Sequence, residues 1–92
     1  MVGDRSYMKG DKMNIDNRIY ALKAAISTLE KAYEHNRQAR IAMAQAYENA
    51  ADYDEKDAYM SARITLIEAM NNINDEICRL YCEIEALKRE RA

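Results

Sequence analysis

The side chains best equipped for chemistry in this sequence are two cysteines, a single histidine and a few polar residues set into otherwise apolar lines. Cys78 and Cys82 stand on successive turns of one helix face, a spacing at which two thiolates can hold one soft metal ion. Two donors do not complete a coordination sphere, and Cys82 leans away from the apolar line. Cys78 is therefore expected to be a small buried hydrophobe and Cys82 an incidental thiol, with no metal or other cofactor. His35 has Lys31, Ala32, Gln38 and Ala39 as its neighbours at helical spacing, none of which could orient or activate it as a base. No Ser or Cys lies near it with an acid in a spacing that implies nucleophilic catalysis. No catalytic residue is expected, and the chain is read as not an enzyme.

The remaining candidates are Asn36, Arg40 and Arg63, which occupy positions that the surrounding pattern reserves for apolar side chains. With a turn near Asp52, Arg40 comes opposite Arg63 and Leu66, so a polar band crosses the middle of the molecule. Its guanidinium groups could take an anion or a partner's carboxylate. The stronger expectation is that such residues specify pairing register, their long stems reaching the surface toward Glu34 or Glu68. Asn71 lies nearby and joins the band.

The elements that position these residues are legible from period and composition. The 92 residues contain two Gly and no Pro. Both glycines fall in a polar stretch without apolar period, so residues 1–13 are expected to be a flexible leader and 14–92 one helical domain. Beyond it Ala, Leu, Met, Glu, Lys, Arg and Gln dominate, all strong helix formers. One line of residues runs Ile15, Ile19, Leu22, Ile26, Leu29, Tyr33, Asn36, Arg40, Met43, Tyr47 and Ala50, alternating four and three. A second runs Tyr59, Arg63, Leu66, Met70, Ile73, Ile77, Leu80, Ile84 and Leu87. The two are out of phase by a step that a continuous coiled coil does not accommodate, so the chain must reverse between them. The pattern predicts an all-α antiparallel helical hairpin: a helix over about 14–50, a turn at about 51–54 and a helix over about 54–90. Asn49 is expected to end the first helix in a left-handed conformation, and Asp52 with Glu55 to open the second as a capping box.

Each arm also carries a second stripe: Ala21, Ala25, Thr28, Ala32, His35, Ala39, Ala42, Ala46 and Asn49 on the first, Met60, Ile64, Ile67, Asn71, Asn74, Cys78 and Tyr81 on the second. Two helices bury one stripe each, so the surplus predicts a homodimer forming a four-helix bundle, or a protein partner's helices in place of the second copy. Asn36, Arg40, Arg63, Asn71, Ile64 and Ile67 are the candidate partner-binding residues. Residues 1–24 with 79–92 carry a net +3 and residues 45–60 a net −4, which favours antiparallel pairing of hairpins. The whole chain has net charge −2, which makes nucleic acid the less favoured partner. Three tyrosines, Tyr33, Tyr47 and Tyr59, fall on the apolar lines rather than interleaving with Lys and Arg as a base-stacking platform requires. No apolar stretch is long enough to span a membrane, and Asp4, Arg5 and Lys9 interrupt any signal-peptide core. Two cysteines supply no disulfide framework, so the expected location is cytoplasmic. The function expected is non-enzymatic protein–protein interaction.

In architecture the chain resembles the plasmid copy-number regulator Rop, whose paired two-helix hairpins bind RNA loops. That resemblance implies a nucleic-acid regulator, with Lys23, Lys31, Arg37 and Arg40 lining one exposed face. In size it is also similar to the secreted hairpins of type VII secretion: Tyr81-Cys82-Glu83-Ile84-Glu85 fits their Y-x-x-x-D/E tail signal. The turn, Ala51-Asp52-Tyr53-Asp54, departs from their W-x-G, and the chain has no Trp. Both resemblances rest on helix count and length, and neither assigns a family.

Overall fold

A computed structural model describes the backbone of residues 2–91 and the side chains of residues 14–91. Two antiparallel helices, α1 (Val2–Asn49) and α2 (Tyr53–Arg91), pack against each other and are joined by Ala50, Ala51 and Asp52. The molecule measures 71 × 24 × 14 Å. The 48 residues of α1 account for the long axis, at about 1.5 Å of rise per residue. The helical hairpin read from the two out-of-phase lines is the fold.

The helix boundaries differ from expectation at one end. α1 begins at Val2 and passes through Asp11 and Asn14 without a break, whereas the sequence pattern places a leader over 1–13. No Pro interrupts this stretch, and Gly3 and Gly10 each disfavour a helix by only about 1 kcal/mol relative to Ala. At the reversal half of the expected capping box forms: the Asp52 Oδ1 accepts from the Glu55 N–H at 2.8 Å, and no bond returns from the Asp52 N–H to the Glu55 carboxylate. Its carbonyl accepts from the Lys56 N–H at 3.2 Å, the first bond of the α2 ladder. Asn49 does not adopt the expected left-handed conformation, since no described non-glycine residue has positive φ. α1 ends instead with the Ala50 N–H donating to the Tyr47 carbonyl at 3.3 Å, a tightened last turn that avoids the steric penalty of left-handed backbone. Asp54 and Glu55 in the first turn of α2 and Lys88, Arg89 and Arg91 in its last turn complement the helix dipole.

Every residue of the two apolar lines is buried or half-buried. Packing is uneven along them. Ile19, Ile26, Leu80, Ile84 and Leu87 form the buried cluster, with Ile15, Leu22, Ala25, Leu29 and Ile77 against it. This core lies at the end of the hairpin away from the turn, where Arg91 pairs with Asp16 across the helices. Toward the turn, Met43, Tyr47 and Tyr59 are only half-buried. Between the two regions sit Arg40 and Arg63.

Candidate functional site

Arg40 on α1 and Arg63 on α2 meet at a groove of about 170 Å³, lined also by Ile41, Ala44, Gln45 and Glu48. The Nε of each arginine is buried and has no hydrogen-bond acceptor among the described residues. Neither guanidinium forms an ion pair with a described carboxylate. The expectation that these stems reach Glu34 or Glu68 is corrected. Glu34 is engaged by Arg37, which donates through Nε and Nη2 at 2.9 Å each, and by Gln38 at 3.0 Å. Arg37 and Gln38 stand one helical turn from Glu34, whereas Arg40 is six residues away and on another side of the helix. Glu68 is exposed, two positions past the seam residue Leu66, and so faces away from the groove.

A second groove, of about 220 Å³, adjoins the first through Arg40 and is lined by Tyr33, Ile67, Met70 and Asn71. Four of the six candidate residues, Arg40, Arg63, Ile67 and Asn71, therefore line this cleft of two neighbouring grooves. Ile64 is on the same side of α2, 49% exposed. Asn36 is half-buried on the α1 seam and lines neither groove. The pattern reading missed Ile41, Gln45 and Glu48. The signal was available for two of them: Ile41 and Glu48 each follow a seam residue, Arg40 or Tyr47, by one position.

That same offset separates the two second stripes. On α1, Ala25, Ala32, Ala39 and Ala46 each precede a seam residue by one position, whereas Glu30, Ile41 and Glu48 follow one. At about 100° per residue these sets flank the seam on opposite sides. On α2, Met60, Ile64, Ile67, Asn71 and Asn74 all follow seam residues. The grooves place them on the side of Glu30, Ile41 and Glu48: Ile67 and Asn71 share one with Tyr33, and Asn74 shares one with Glu30. The hairpin thus has two faces of different character. One carries the cleft, the arginines and the α2 stripe; the other carries the alanine stripe of α1 beside Ala62 and Ala69 of α2. A second hairpin laid flat on one face would leave the other face uncovered.

The other chemical candidates fall as follows. Cys78 is exposed, not buried as expected, because it too follows a seam residue, Ile77, and so stands outside the contact between the helices; Cys82 is exposed as well. No group of three or more metal-ligating side chains is found among the described residues. His35 is exposed. Tyr33, Tyr47 and Tyr59 are half-buried seam residues, and the Lys56 ammonium lies 5.3 Å from the Tyr47 ring centroid. Of the four basic residues that a Rop-like face would use, Lys23 and Lys31 are exposed, Arg37 is paired with Glu34, and Arg40 is half-buried at the cleft. Hydrogen bonds from Arg37 and then Gln38 hold the Glu34 carboxyl at a pKa of about 2, against an ordinary 4.5. A hydrogen bond from Arg79 lowers that of Glu76. Arg37 and Arg79 thus have carboxylate partners, whereas Arg40 and Arg63 at the cleft have none among the described residues.

No described helix is long and apolar enough to cross a membrane. Comparison with protein-family models, with curated proteins and with solved structures gives no match.

Proposed function

We propose that the chain is a non-enzymatic protein–protein interaction module, an adaptor, small chaperone or phage-type inhibitor, acting through its two helix faces. The observation that carries this reading is unspent surface. The accessible area is 7123 Å², whereas a compact monomer of 10.7 kDa exposes about 5,500 Å². The excess is about twice what a standard interface removes from one partner, enough for a contact on each face. The alanine face pairs with a second copy, since small side chains let helices approach closely, and the result is a dimeric four-helix bundle. Opposite charge at the turn and at the terminal end selects antiparallel pairing of the copies, an effect on orientation more than on stability. The cleft face, with Arg40, Arg63, Asn71, Ile64 and Ile67, is left for a different protein, in the manner of a helix laid into a groove. Two exposed thiols with no disulfide between them fit a reducing, cytoplasmic setting.

The deciding experiment couples light scattering with recovery of bound material from native lysate. A dimer that retains protein supports the reading. A stable, fully helical monomer at micromolar concentration sinks the dimer, and salt-sensitive retention of RNA or DNA without protein sinks the interaction class.

A further inference from the structure

We propose that Arg40 and Arg63 form an oxyanion-binding site whose ligand is a carboxylate side chain presented by the protein partner. This rests on the interaction reading of the cleft face and goes on to name the chemistry recognised there. The pairing of two guanidinium groups across a helical hairpin is unfavourable twice over: the charges repel, and burial removes water from donors that must hydrogen-bond. Both Nε atoms are buried without an acceptor among the described residues, and no described carboxylate pairs with either group. A planar oxyanion lying between them answers both costs at once. Its oxygens match the fixed fork of N–H donors on each guanidinium, the geometry for which Arg is preferred over Lys.

The walls suit such a ligand. Ile41 and Ala44 make one side of the groove apolar, so the two guanidinium groups are the donors that an incoming anion meets there. Glu48 stands on the same groove yet makes no ion pair with either arginine, so it opposes an incoming anion instead of replacing it. The adjoining groove carries Ile67 and Met70, an apolar seat for the residues that flank the partner's carboxylate.

The test is thermal unfolding of the full chain in sodium acetate, sodium phosphate and sodium chloride at matched ionic strength. Acetate should raise the midpoint by about 4 °C over chloride, the linkage expected when an anion binds the folded state at several times its dissociation constant. Arg40→Met and Arg63→Met keep the apolar stem, and each should abolish the acetate increment. Glu48→Gln should enlarge it. General salt effects act equally on all variants and cancel in the comparison. An acetate increment that survives both Arg→Met changes overturns the site, as does the absence of any increment. A Glu48→Gln variant destabilised in chloride overturns it too, because Glu48 would then be the internal counter-ion. An increment with phosphate alone, lost in both variants, rejects a side-chain carboxylate in favour of a free phosphate. If the increment appears as expected but no protein is retained from lysate, the interaction reading fails while the anion site stands.

Discussion

Arg40 and Arg63 face one groove with no carboxylate to share, and this dictates what happens when one of them is removed. Arg40→Leu ends the repulsion, frees a buried Nε from its unmet hydrogen bond and extends the apolar seam. In chloride buffer it should raise the thermal midpoint while broadening the choice of oligomer seen by light scattering, because polar seam residues restrict register. A loss of more than about 2 kcal/mol would show instead that the guanidinium belongs to a satisfied network. Glu34 supplies a prediction of opposite kind. Its carboxyl titrates near 2 in the folded chain, below its ordinary 4.5, so the ion pair with Arg37 favours folding above pH 4.5 and loses that effect as pH falls toward 2. Thermal midpoints should decline across that window, and Glu34→Gln should flatten the decline. Added salt should weaken the effect, since the pair is on the surface.

At the scale of the elements, the reversal between α1 and α2 depends on Asp52. Its carboxylate caps α2, and the connection is only Ala50, Ala51 and Asp52 long. Asp52→Ala should cost about 1 kcal/mol, read as a lower urea midpoint with unchanged slope, and Asp52→Asn should restore most of it. An unchanged midpoint in Asp52→Ala would mean that interhelical packing alone sets the turn. The buried cluster lies far from this turn, at Ile19, Ile26, Leu80, Ile84 and Leu87. The turn end should therefore be the first part of the hairpin to lose amide-exchange protection, with the cleft opening alongside it.

For the whole molecule, the two faces make separable demands. Ala39→Arg, in the alanine face, should convert a dimer into a monomer while leaving partner capture at the cleft. Ile64→Arg should leave the dimer and abolish capture. Light scattering and lysate retention on the two variants check both, and the reverse pattern would exchange the roles of the faces.

The sequence by itself determined the two helices, their antiparallel packing, the capped reversal at Asp52 and the identity of both seams. These follow from local rules: a heptad period, a phase break and a side chain within reach of its own backbone. It also brought Arg40 and Arg63 to one level, because a three-residue connection leaves the pairing register little freedom. Tertiary structure alone decided the rest. Whether α1 ends left-handed at Asn49 depends on the path of the connection, not on the residue's tolerance for it. Which carboxylate an arginine reaches depends on competitors, and Arg37 and Gln38 had already engaged Glu34. The faces are the clearest case. A stripe that precedes its seam on one helix and a stripe that follows its seam on the other look alike as periods, yet an antiparallel pair turns them to opposite sides. Cys78 followed its seam residue in the same way and was exposed for that reason.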